Sequence, residues 1–90
     1  MAKRGRLEII RGILDTINES HNSIKITPLL RKTGLSSSRF REYYNELLAK
    51  RLVIESIDKK GGKHVSLSEK GFRFLEKYRV IVDFIDEFEL

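Results

Sequence analysis

Ile26-Thr27-Pro28-Leu29-Leu30-Arg31-Lys32-Thr33-Gly34-Leu35-Ser36-Ser37-Ser38-Arg39-Phe40-Arg41 carries the punctuation of two helices joined by a tight turn. Pro28 suits the first position of a helix, where its missing N–H would have no partner anyway, and Thr27 before it is a good N-cap. A short helix is therefore expected over residues 28–33. Gly34 tolerates the left-handed conformation that ends a helix. Ser36 can cap the next helix, expected over residues 37–50, in which Phe40, Tyr43, Tyr44, Leu47 and Leu48 recur at three- and four-residue spacing and fix the buried face. Together the two read as a helix-turn-helix.

Upstream, Leu7, Ile10, Ile13, Leu14 and Ile17 fall on one side of a helix expected over residues 6–19, with Glu8, Arg11, Asp15 and Asn18 turned to water. Ser20-His21-Asn22-Ser23 has loop composition, and Ile24-Lys25-Ile26 suits a minor strand leading into Thr27. Downstream, Leu52–Ile57 and Lys63–Leu67 are strand-like runs flanking Asp58-Lys59-Lys60-Gly61-Gly62, which predicts a β-hairpin over residues 52–67 with a basic tip. Ser68 can cap a last helix expected over residues 69–90, with Glu69 favourable at its positive end. The order is α-β-α-α-β-β-α, mainly α with a small β-hairpin, in a single domain over residues 1–90 without repeats or linkers.

That order, with Thr33-Gly34-Leu35-Ser36 at the turn, Leu47-Leu48-Ala49-Lys50-Arg51-Leu52-Val53-Ile54 leading into the hairpin and Leu67-Ser68-Glu69-Lys70-Gly71 opening the last helix, resembles the winged helix-turn-helix DNA-binding proteins. It is most similar to small archaeal winged-helix regulators, including the ArnR-like group and the archaeal chromatin proteins that dimerise through an extended C-terminal helix. The resemblance covers nearly the whole chain. It implies a recognition helix at residues 37–50, a wing at 52–67 and a dimerisation helix at 69–90. One position departs: the family usually has glycine where Arg51 stands, so the turn out of the recognition helix is expected to be strained or different.

Charge points the same way. The chain has 18 Lys plus Arg against 13 Asp plus Glu, a formal +5. All 18 basic residues lie within residues 1–79 beside nine acids, a balance of +9, whereas residues 80–90 hold four acids and no base, −4. The basic part suits a polyanionic partner. With no cysteine, disulfides and thiolate metal sites are excluded, and His21 and His64 stand too far apart in sequence to suggest a metal site, so both are read as surface or strand residues. No apolar run reaches membrane-spanning length, and a soluble, cytoplasmic protein is expected, nucleoid-associated if prokaryotic. The serines at 36–38 have no base nearby in sequence, so no enzyme, cofactor or small-molecule ligand is expected.

The candidate readers of DNA lie on the outer face of the 37–50 helix and at its start: Ser36, Ser37, Ser38, Arg39, Arg41, Glu42 and Asn45. Arginine can bond bidentately to guanine and asparagine to adenine in the major groove. A solvated face with Arg–Glu pairs is the plainer reading of the same residues. Arg31 and Lys32 near the turn, and Lys59, Lys60 and Lys63 on the hairpin, are candidates for phosphate contact, as are Lys3, Arg4 and Arg6 in a basic N-terminal arm.

The last helix asks for a partner. Its earlier half has a one-sided apolar face, but Val80, Ile81, Val82, Phe84, Ile85 and Phe88 spread over an arc wider than one small domain covers. A two-fold homodimer through Phe74, Tyr78, Ile81, Val82, Phe84, Ile85 and Phe88 is expected, with the acidic end kept away from phosphate. The sequence thus predicts a homodimeric transcriptional regulator that binds double-stranded DNA at chosen sequences. A non-specific architectural chromatin protein and a winged-helix protein-interaction adaptor are the alternatives, the latter expected to pair Arg39 and Arg41 with Glu42 and Glu46.

Overall fold

The computed structural model describes residues 5–90, so Lys3 and Arg4 of the expected arm lie outside the described residues. The elements are α1 (Arg6–Glu19), β1 (Ile24–Lys25), α2 (Ile26–Thr33), α3 (Ser37–Ala49), β2 (Val53–Ile57), β3 (Lys63–Leu67) and α4 (Glu69–Glu87). Among the described residues, four helices and a three-stranded antiparallel sheet of order β1-β3-β2 give the winged helix fold. Val53 faces Leu67 and Ile57 faces Lys63 across the hairpin, while Ile24 pairs with Val65 on the other side of β3.

The core joins α1, α2, α3 and the inner ends of the strands. Ile13, Leu14, Ile17, Leu29, Leu47, Val53 and Val65 are almost wholly buried, with Ile9, Ile10, Ile24, Phe40, Tyr44, Leu52 and Leu67 around them. One position of α1 differs from the expected face: Leu7 is half exposed and Ile9 takes its place in the core. Leu7 sits in the first turn, beyond the end of the packed interface, while Ile9 borders the apolar stripe on its other edge.

α2 begins at Ile26, two residues earlier than expected, with Lys25 as an N-cap that makes no side-chain capping bond. Pro28 is thus the third helical residue. It is tolerated there because the N–H groups of the whole first turn have no partner inside the helix. Gly34 ends α2 at φ 72°. Ser36 caps α3, its Oγ accepting from the Arg39 N–H at 3.3 Å.

Three other helices turn off in the left-handed region on residues with side chains. At α3, Arg51 has φ 60°; its N–H donates to the Leu48 carbonyl (3.0 Å) and the Leu52 N–H to the Leu47 carbonyl (2.9 Å). This pair of bonds is the Schellman ending, with buried Leu52 closing over Leu47. A left-handed turn of the kind glycine takes freely is therefore made on an arginine, at a local cost of about 1–2 kcal/mol. His21 after α1 and Glu89 after α4 do the same, at φ 60° and 55°. The α4 turn, in which the Leu90 N–H bonds to the Ile85 carbonyl at 2.9 Å, stops the helix at Glu87 instead of letting it run to residue 90.

The start of α4 is fitted tightly to the α3–β2 turn. Ser68 Oγ accepts from the Gly71 N–H (3.1 Å) and lies 2.6 Å from the Arg51 carbonyl oxygen, to which it donates. Gly71 is buried, and a Cβ there would stand 2.3 Å from the Leu52 carbonyl oxygen. The molecule measures 50 × 27 × 22 Å, and its exposed apolar residues cluster on the far half of α4.

Candidate nucleic-acid interface

α3 is anchored through Phe40, Tyr44 and Leu47, and the rings of Phe40 and Tyr44 stack 5.5 Å apart. With that face fixed, Ser36, Ser37, Ser38, Arg39, Arg41, Glu42 and Asn45 are all exposed. Their charges are not spent on one another. Neither Arg39 nor Arg41 forms an ion pair among the described residues, and Glu46 is instead held by Arg6 from α1 and by Lys50 at 2.8 Å. The Arg–Glu pairing expected of an adaptor is therefore absent among the described residues. Arg6 is not part of an arm: it is the first residue of α1, turned to α3.

Arg31 and Lys32 are exposed in the last turn of α2, next to the turn into α3. The hairpin tip is organised by a single carboxylate. Asp58 Oδ1 accepts from the N–H groups of Lys60 (2.9 Å) and Gly62 (2.8 Å), and Oδ2 lies 2.9 Å from His64 Nε2. The His64 bond, then the two backbone bonds, hold the Asp58 carboxyl below its ordinary pKa. Gly61 supplies the positive φ of the turn, 84°. The result displays Lys59 and Lys60 on a loop with a defined shape.

Lys63 belongs elsewhere. It lies at the start of β3 with its Nζ 3.7 Å from Glu55 Oε1, while the Tyr44 hydroxyl donates to Glu55 Oε2. Burial, and then Glu55, push the Tyr44 phenol above its ordinary pKa, so it remains a donor throughout the neutral range. Glu55 thus lines the groove between α3 and the hairpin with Arg41, Asn45 and Lys63. The sequence reading missed both Glu55 and the Asp58–His64 pair. The hairpin register is what brings them together: Glu55 opposite Val65 puts Lys63 diagonally across on the same face.

On α4, the residues expected at a dimer interface divide into two groups. Phe74 packs against the core, and Tyr78 stacks on it at 6.0 Å with the Arg11 guanidinium 5.4 Å over its ring. Val82 is half-buried, while Ile81, Phe84, Ile85 and Phe88 are exposed, Phe84 by 55% and Phe88 by 57%. Phe84 and Phe88 touch ring to ring at 4.9 Å. No group of three or more His, Asp or Glu among the described residues could hold a metal ion, and no described helix is long and apolar enough to cross a membrane.

The architecture is shared with known proteins. Among solved structures, Sso10a-2, a DNA-binding protein from Sulfolobus solfataricus, superposes with a TM-score of 0.75 at 17% identity, over 96% of this chain and 86% of that one. A winged-helix DNA-binding protein from STIV gives 0.73 at 17% identity, over 89% of this chain and 91% of that one. The PcaV transcriptional regulator from Streptomyces coelicolor gives 0.75 at 16% identity, over 88% of this chain and 59% of that one. At such identities the likeness is one of fold. No curated protein matches the chain in sequence. A family model described as winged helix-turn-helix matches residues 3–86, and the chain belongs to that family.

Proposed function

Starting from membership of the winged helix-turn-helix family, we propose that this chain binds double-stranded DNA as a homodimer and regulates transcription at chosen sequences. α3 enters the major groove, where Arg41 and Asn45 read base edges and Ser36, Ser37, Ser38 and Arg39 meet phosphates or bases at the rim. Lys59 and Lys60 on the wing, with Arg31 and Lys32 beside the turn, hold the backbone and set the register. The observation that carries the reading is the pair of arginines without an ion-pair partner among the described residues, on an exposed helix whose other side is locked into the core. The solved structures similar in fold include DNA-binding proteins and a transcriptional regulator, which favours the same class.

Dimerisation is supported by the exposed apolar end of α4, since Ile81, Phe84, Ile85 and Phe88 would be covered if each subunit packed this helix on the other. A two-fold dimer presents two α3 helices to successive major grooves about one helical turn apart. Fluorescence anisotropy with a labelled duplex between 50 and 200 mM salt tests the DNA-binding reading. With some 6–10 phosphates neutralised, affinity falls by about 10³–10⁵ over that range. Absence of binding at the lowest salt, or an affinity that does not change with salt, contradicts it.

A further inference from the structure

The wing is anchored through β3, where Val65 is buried and pairs with Ile24 and His64 pairs with Lys25, whereas β2 is the outer edge of the sheet. Beyond Val53, every residue of β2 is exposed, and Ile57 at its end is 69% so. Among the described residues, the outer hairpin has two side-chain ties to other elements. On one face His64 Nδ1 lies 3.4 Å from Ser23 Oγ in the loop after α1, a long contact. On the other, Glu55 accepts a hydrogen bond from the hydroxyl of Tyr44, whose ring is buried against Phe40 in α3, and its second oxygen lies 3.7 Å from Lys63. A carboxylate in a groove shared with Arg41 and Lys63 opposes the approach of phosphate, so affinity alone gives no reason for it.

We infer that Glu55 is a positioning residue: through Tyr44 it fixes the angle between the wing and the recognition helix, so that base selectivity depends on a side chain that does not itself read DNA. The inference rests on the DNA-binding reading for its effect on selectivity, but not for its effect on geometry. Tyr44 is inside the core and cannot follow the wing, so the bond sets where β2 stands relative to Arg41 and Asn45. If the wing meets the backbone while α3 sits in the groove, a fixed angle admits one depth of insertion. Freed from it, the wing keeps its phosphate contacts at several depths, and the penalty for a wrong base falls.

Two variants isolate the bond. Tyr44→Phe removes it without changing charge or ring packing; Glu55→Leu removes the acceptor together with the negative charge. Geometry is read by double electron–electron resonance between spin labels on Glu42→Cys and Lys60→Cys, unique sites in a chain without cysteine, with labelled protein diluted in unlabelled chain. The expected result is a narrow distance distribution that broadens in both variants while circular dichroism keeps the fold's signature. Unchanged distributions in the variants overturn the inference, whether or not the protein binds DNA. On DNA, the ratio of affinities for the preferred duplex and a scrambled one falls by about fivefold or more in Tyr44→Phe, and the double variant loses no more selectivity than Tyr44→Phe. A uniform gain of affinity in Glu55→Leu with selectivity intact in Tyr44→Phe leaves only a charge effect and overturns the positioning role. A wild-type protein that binds no DNA refutes the functional reading alone, and the distance measurement still decides the tie.

Discussion

Gly71→Ala and Gly12→Ala make the same chemical change inside two helices, and the structure assigns them opposite signs. By intrinsic propensity alone each replacement favours the helix by about 1 kcal/mol. At Gly12 nothing lies within 4 Å of the new methyl, so α1 should keep that gain. At Gly71 the methyl would stand 2.3 Å from the Leu52 carbonyl oxygen, a backbone atom that also accepts from the Ser68 N–H at 3.1 Å. Relieving the clash requires α4 and the α3–β2 turn to separate by about 1 Å, since carbon contacts are comfortable only near 3.5 Å. Overpacking of this kind costs about 1–3 kcal/mol, and loosening the Ser68 bonds adds about 0.5–1.5 kcal/mol for each one lost. After subtracting the propensity gain, the net loss is about 2 kcal/mol, a fall in Tm of roughly 8–16 °C for a domain of this size. Thermal denaturation followed by circular dichroism checks this, with protein concentration held constant because an oligomer's Tm depends on it. A Gly71→Ala protein as stable as the parent, or more stable, refutes the close approach, and a loss of stability in Gly12→Ala refutes the open space there.

Four other outcomes are expected. Arg41→Ala or Asn45→Ala should cost about 1–3 kcal/mol at the preferred site and relax base preference, whereas Lys59→Ala or Lys60→Ala should weaken all duplexes alike and lower the salt slope by about one, both read by anisotropy titrations. Phe84→Glu should give a monomer by analytical ultracentrifugation at micromolar concentration where the parent is a dimer; a monomeric parent refutes the interface. Arg51→Gly, which relieves φ 60° at the end of α3, should raise stability by up to about 1 kcal/mol in urea melts, the strain relief exceeding the added freedom of the unfolded chain. Because the folded Asp58 carboxyl titrates below its unfolded value, its hold on the wing tip is complete above the unfolded value near pH 4 and is lost as pH falls through the lower folded value. Hydrogen-exchange protection at Lys60 and Gly62 should fall only in that acid window, and in Asp58→Ala at neutral pH as well.

The fold was legible because its signals are local. Gly34, Ser36 and the Phe40–Tyr44–Leu47 spacing place α3 to within a residue of its observed bounds, and Ser68 marks the start of α4 through its bond to the Gly71 N–H. Local signals also misled where two rules compete. Thr27-Pro28 reads as a cap and first position, but Ile26 and Thr27 join the helix because Pro28 is equally free of a partner two residues inside it. Arg51 shows an ordinary side chain accepting a conformation that composition assigns to glycine, once Leu52 is buried against the core. Around the candidate site, exposure of the candidate DNA contacts followed from helical period, since burying Phe40 and Tyr44 turns Arg41 and Asn45 outward. What stayed hidden depends on contacts between distant segments. Tyr44 with Glu55, Arg6 with Glu46 and Asn22 Oδ1 accepting from the Leu67 N–H (2.7 Å) arise from register and packing, which no spacing rule supplies.

Selection from a pool of random duplexes with the purified protein tests the central claim most directly. A homodimer whose α3 helices read successive major grooves should enrich a near-palindromic motif with half-sites about 10 base pairs apart, and enrichment should be lost when Arg41 and Asn45 are both replaced by alanine. A pool that emerges without sequence preference, or a motif that survives that double replacement, contradicts sequence reading by this helix.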